Sequence, residues 1–170
     1  LDRVSDNANE AEYRRNRGLV TQAFKNAETE LGRLVHDNAK WDEAAQNLTG
    51  EINTAWFKST MGHITSLGTA YDVVAVLDED SPKALIARNT AGDLASFDAI
   101  SDIGSVYFAL SAQVADEKNV QKAATSIAML ADGPAIVAMA RISGPKLSDT
   151  PTGKVRLLVM VRKFAQSSLD

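Results

Sequence analysis

Trp41 and Asp42 stand side by side on a stripe of apolar residues, with polar Asn38 just before them. Residues four apart meet on one helix surface, so Asn38 and Asp42 would converge beside the Trp41 ring. A partly buried carboxylate needs donors, and a ligand amine would supply them as well as a backbone turn. In the competing reading Trp41 is a core anchor whose indole N–H finds a partner, and Asp42 caps a loop. Arg141, on a strand-like stretch, could clamp a carboxylate through two parallel bonds or stand in solvent. Arg88 has the same ambiguity. Tyr71 and Tyr107 add phenols on otherwise apolar elements.

Other chemistry lacks its residues. The chain has no cysteine and two histidines, His36 and His63, with no His-x-x-x-His spacing, so neither a thiol centre nor a metal site is expected. Asp78-Glu79-Asp80 lacks the glycine and terminal glutamate of a calcium loop and reads as a solvated turn. Asn47-Leu48-Thr49 matches a glycosylation sequon, a short and therefore weak signal. Nucleophile motifs, phosphate-binding glycine loops and dinucleotide fingerprints are absent. A net charge of -4 on 170 residues, without a basic patch, argues against a nucleic-acid surface. No cofactor is implied. A binding or sensor module is expected rather than an enzyme.

The elements that position these residues follow from periodicity. Val20, Phe24, Ala27, Leu31, Leu34, Asn38, Trp41, Ala45 and Leu48 recur every third or fourth residue, and the first proline is Pro82. This predicts one amphipathic helix from about residue 5 to 48, broken at Gly50. Gly18 and Gly32 each weaken it by about 1 kcal/mol, too little to stop it. A second helix is expected over Ile52–Leu67. From Tyr71 the pattern becomes β-branched, predicting a hairpin over 71–88 with a turn at Asp78–Pro82. Ile103, Tyr107, Leu110 and Val114 suit a short helix with Asp102 as N-cap. Strands over 123–131, 135–143 and 154–162 complete the chain, with a polar loop at 144–153. The last strand is apolar on both faces and should be central or helix-covered, with Arg156 and Arg162 marking a partly wet face. The fold expected is α+β, a long N-terminal helix packed with a five-stranded antiparallel sheet in a small sensor-like domain. Residues 1–170 are read as one domain, 1–50 the long helix and 51–170 the second helix and α/β core.

The run Leu34-Val35-His36-Asp37-Asn38-Ala39-Lys40-Trp41-Asp42-Glu43 resembles the Trp-Asp signature of the CHASE4 family. Leu130-Ala131-Asp132-Gly133-Pro134-Ala135-Ile136-Val137 and Gly153-Lys154-Val155 resemble its C-terminal strands, and Trp56 its second aromatic. Two departures concern the pocket: Glu43-Ala44-Ala45 stands where an aromatic often occurs, and the first hairpin lacks a glycine. The resemblance covers roughly residues 15–165. It implies a PAS/Cache-like form for the five-stranded sheet and an extracytoplasmic sensor set between two transmembrane helices, in the periplasmic part of an inner-membrane receptor. The implied output is a diguanylate cyclase, a cyclic-di-GMP phosphodiesterase or a histidine kinase. It also implies a small-ligand pocket between the sheet and its covering segments near Tyr107, with Arg141 and Tyr71 as polar contacts. A structural or protein-interaction module without a small ligand is the alternative, and a small hydrolase another.

The chain starts at Leu1 rather than Met, holds no apolar run of about 18 residues, and is read as a piece whose membrane helices lie outside it. The stripe from Val20 to Leu48 spans four heptads, more than one sheet can cover. Its upstream turns are therefore expected to pair in a parallel homodimer, with Val20 and Phe24 at the seam and Asn38 near the sheet. Alternatively the 52–67 helix folds back over the stripe and leaves a monomer.

Overall fold

A computed structural model describes residues 2–61, 70–116, 122–143 and 154–164. The stripe forms α1 (Asp2–Ala39), and the chain resumes helix as α2 (Asp42–Leu48). The single helix expected to residue 48 is thus interrupted at Lys40-Trp41, with Trp41 extended at φ −80°, ψ 135°. The cause is tertiary. Ser143 N–H takes the Ala39 carbonyl at 3.0 Å, and Lys40 Nζ donates to Arg141 O at 2.7 Å and Ser143 Oγ at 3.2 Å. These bonds hold the helix end on a distant strand and turn the chain there.

α3 (Thr54–Thr60) begins at Asn53, whose side chain accepts Trp56 N–H. The rest of the expected 52–67 helix, from residue 62, lies outside the described residues, as does the 144–153 loop. The hairpin forms as β1 (Val73–Asp78) and β2 (Ala84–Asn89), followed by the two-residue β3 (Gly92–Asp93). Two short helices follow, α4 (Ala99–Ile103) and α5 (Val106–Ala115). The helix expected over 103–114 forms as α5, with Ser105 rather than Asp102 at its N-cap. Asp102 lies inside α4, which Asp98 caps by accepting the Ile100 and Ser101 N–H groups, while Asp102 Oδ2 accepts Asp98 N–H at 2.7 Å. Gly104, at φ 71°, ends that helix in a conformation that side-chain-bearing residues rarely adopt. β4 (Ala124–Leu130), β5 (Gly133–Arg141) and β6 (Arg156–Lys163) complete the sheet.

The strand order is β3-β2-β1-β6-β5-β4, every described pairing is antiparallel, and the sheet has six strands rather than five. A two-residue edge strand is too short to show alternation, so β3 is silent in the sequence. A long helix packed on a multi-stranded antiparallel sheet is the arrangement of Cache and PAS-like α+β folds.

Both faces of the sheet are buried. On one, Ala27, Leu31, Val35 and Ala39 of α1 pack with Leu48, Phe57, Tyr71, Val74, Ile136 and Met160. On the other, α4 and α5 bring Ile103, Tyr107, Leu110 and Val114 against Val73, Val137, Val159 and Val161. β6 is central, as its two apolar faces predicted. Arg156 corrects the wet-face reading: it is 5% exposed, paired with Asp78, and donates to the Leu48 carbonyl at 3.3 Å.

Docking of α1 begins abruptly. Residues 4–23 are all exposed, and Phe24 is the first that is partly covered. Twenty residues at about 1.5 Å each make a spur of about 30 Å beyond the sheet. Where α1 meets the sheet the fit is close: a Cβ at Gly32 would lie 2.9 Å from Thr125 Cγ2, and Thr125 Oγ1 donates to Glu28 Oε1 at 2.7 Å.

Candidate functional site

A cleft of about 160 Å³ opens on the α4/α5 face of the sheet. Val73, Leu94, Phe97, Ile103, Leu130 and Val161 form its apolar walls, and Asn89, Ser96, Asp102 and Lys163 its polar groups. It adjoins a second hollow, about 370 Å³, through the shared residues Asp102, Leu130 and Lys163; Asp132, Ser101 and Gly104 line that part. The Asp98–Asp102 exchange of hydrogen bonds and the turn at Gly104 fix the rim. Lys163 Nζ meets Asp132 Oδ2 at 2.9 Å, and this bond holds the Asp132 carboxyl below its usual range. Apolar walls with a few convergent polar groups are the usual makeup of a small-molecule site. A third hollow, about 210 Å³, lies at the opposite end of β1, between the Asp78-Glu79-Asp80 turn and Lys154-Val155. Among its described lining residues Val155 alone is apolar, so it fits a small molecule less well.

The end of β6 connects the cleft to the long helix. Successive side chains of a strand point to opposite faces. Val161 and Lys163 line the cleft. Arg162 and Phe164 face α1: Arg162 reaches Glu30 at 3.7 Å and lies over the Phe164 ring, and that ring packs on Phe24 with centroids 4.6 Å apart. Asp72 fixes the same strand end, its Oδ2 accepting Lys163 N–H at 2.6 Å.

The residues singled out in the sequence are distributed over both faces. Tyr107 is buried on the cleft's face, its ring 5.3 Å from that of Phe108. Burial, then the carboxylates of Asp80 and Asp98, raises its pKa. Arg141 falls on this face too by its alternation with Met139 and Val137, and is half-buried. Tyr71 is on the other face, 2% exposed, with its OH donating to Met61 O at 2.6 Å; burial pushes its phenol far above the ordinary range. Tyr71 and Tyr107 are therefore separated by the sheet. Trp41 and Asp42 lie on the Tyr71 side, exposed at the α1–α2 bend. Trp41 leans on Trp56 with centroids 5.8 Å apart, and Trp56 Nε1 donates to Glu43 Oε2 at 3.2 Å. The cleft residues escaped sequence reading because Val73, Phe97, Ile103 and Val161 look like ordinary core, and Lys163 falls one residue past the predicted strand.

Lys40 gives the bend a pH signature. Burial, then the Arg141 charge, lowers its pKa to about 8, against about 10.4 in an unfolded chain. Between these values the unfolded chain binds more protons, so stability rises with pH. The cost of the charged amine is complete below pH 8 and is relieved towards 10.4. In urea unfolding at constant ionic strength, the rise between pH 8 and 10 is expected to be steeper in the wild type than in Lys40→Met. Equal slopes would contradict this placement of the amine.

Residues 23–170 match the model of the CHASE4 domain. The chain belongs to the CHASE4 domain family. The match starts one residue before Phe24, where α1 first becomes covered. Among solved structures, the chain is similar to the extracellular domain of a protein assigned as a histidine kinase, vpHK1S-Z8. That likeness has a TM-score of 0.45 and 11% identity, covering 88% of this chain and 60% of the other. No curated protein matches. A CHASE4 domain is an extracytoplasmic sensor module and not a catalyst. Among the described residues, no helix is long and apolar enough to cross a membrane, and no group of three or more His, Asp or Glu side chains could hold a metal ion.

Proposed function

We propose that residues 1–170 form one sensor domain of a membrane receptor that binds a small ligand in the α4/α5-side cleft and reports its occupancy through the end of β6 to α1. The carrying observation is the alternation at that strand end: Val161 and Lys163 line the cleft, while Arg162 and Phe164 touch Glu30 and Phe24. A ligand that favours one setting of β6 shifts the population of the α1 setting matched to it. Because Phe24 and Phe164 meet, α1 and β6 come together at one end of the sheet. That suits a domain whose two flanking segments run to the same membrane, the inner membrane with the domain in the periplasm. The output is a cyclic-di-GMP enzyme or a histidine kinase, as in the family resemblance.

Tyr107 and Arg141, on the cleft's face, are its candidate outer contacts. Trp41 and Asp42, exposed at the bend, and Tyr71, buried on the same face of the sheet, are candidate contacts on the helix side. The exposed spur, with Tyr13 67%, Leu19 61% and Val20 38% exposed, forms the parallel homodimer contact. Membrane tethering supplies the effective concentration that weak pairing needs. Phe24, being packed on Phe164, contributes less to the seam than Val20.

A thermal-shift screen against amines, carboxylates, amino acids and sugars tests the sensory reading. A saturable rise in melting temperature is expected for at least one class, abolished by Ser96→Trp, which fills the cleft mouth from an exposed position. A flat response, or a hit that Ser96→Trp leaves unchanged, would sink it in favour of a protein-interaction module.

A further inference from the structure

Resting on the reading that this cleft is the sensory site, we infer that its ligand is a small ammonium compound with a short apolar body. The inference comes from charge and shape together. Among the described residues, the cleft and its adjoining hollow hold the carboxylates of Asp102 and Asp132 and the cation Lys163. Lys163 is paired with Asp132 at 2.9 Å, so these two charges formally cancel. Asp102 Oδ2 accepts the neutral Asp98 N–H, which leaves its charge uncompensated; among the described residues no Lys, Arg or His forms an ion pair with it. The net charge of the described lining is therefore one negative, carried by Asp102.

The walls behind Asp102 are apolar: Phe97, Ile103, Leu94 and Val161. A volume of about 160 Å³ displaces about five waters at about 30 Å³ each. That admits a molecule of a few heavy atoms with a cationic head and a branched aliphatic tail. A free carboxylate ligand would meet the charge of Asp102, with Lys163 already shared with Asp132. Charge of one sign in a walled cleft raises the local concentration of the opposite sign, so Asp102 selects as well as binds.

The test uses two shape-matched probes, isobutylammonium chloride and sodium isobutyrate, titrated into the full chain at pH 7 and constant ionic strength. Isothermal calorimetry and thermal shift are the readouts. Isobutylammonium is expected to bind saturably in the millimolar range and isobutyrate not to bind. Asp102→Asn keeps the acceptor oxygen for Asp98 N–H and removes the charge; it should weaken isobutylammonium at least fivefold with the circular dichroism spectrum unchanged. Asp132→Asn, far from Asp98, frees Lys163 and should give isobutyrate measurable affinity, a second readout if the first variant misfolds. Isobutyrate binding to the wild type with no amine binding would overturn the ammonium class while the cleft stands as the site. Amine binding that survives both Asp102→Asn and Ser96→Trp would overturn the site itself. No binding of either probe also overturns the ammonium class, and the response of any other screening hit to Ser96→Trp then decides the cleft.

Discussion

Arg156→Met is expected to lower the unfolding free energy by about 3 kcal/mol. The Arg156 side chain is 6% exposed and its Nε lies 2.5 Å from Asp78 Oδ1. That N–H is poorly aligned for a hydrogen bond, so the contact acts chiefly as an ion pair. The guanidinium also donates to the Leu48 carbonyl at the end of α2. Breaking a buried pair by removing one partner costs about 3–5 kcal/mol, because the other charge stays behind. Asp78 is 30% exposed and water reaches it, which places the cost at the low end. Methionine fills the volume, so cavity formation adds little. Urea unfolding of the variant measures the loss. Asp78→Asn in the Arg156→Met background should recover part of it, since the stranded charge is then gone. A loss below about 1 kcal/mol would mean that the arginine is solvated, as its sequence position suggested.

Leu31→Ala is expected to cost about 3 kcal/mol, within the 2–5 typical of buried leucines, whereas Leu19→Ala should change stability by less than about 0.5. Leu31 is 1% exposed and Leu19 61%, although both lie on one uninterrupted helix and carry the same side chain. The pair therefore measures where α1 docks. If both substitutions cost the same in dilute solution, the boundary at Phe24–Ala27 is misplaced. If Leu19→Ala costs stability only at high protein concentration, the spur is paired between two chains, as the homodimer proposal requires.

What was legible in the sequence was what local period encodes. The run from Val20 to Ala39 declared the helix, and the β-branched stretches declared β1, β5 and β6. The double-faced apolarity of β6 placed it centrally, because a strand covered on both sides has no wet face to mark. What stayed hidden depends on partners far along the chain. The bend at Lys40-Trp41 exists because Arg141 and Ser143, about a hundred residues later, claim the end of α1. Arg156 reads as a solvent residue until Asp78 and Leu48 are seen beside it. Asp102 suits an N-cap by its type, but the fold places it inside α4, a separate short helix that the period from Ile103 to Val114 does not announce. The cleft was least legible. Its walls are ordinary core residue types that happen to leave a gap, and one sequence shows side-chain identity but not unfilled volume.

The account turns on the connection between the cleft and α1 across the last residues of β6. Amide and methyl NMR spectra of the labelled chain, followed through titration with a ligand that raises its melting temperature, test this most directly. Shifts are expected at Val73, Leu94, Ile103, Val161 and Lys163, and in the same titration, with the same dissociation constant, at Arg162, Phe164, Phe24 and Glu30. Saturable shifts in the cleft that leave Phe24, Glu30 and Phe164 unmoved, or shifts confined to the Trp41–Trp56 surface, would contradict it.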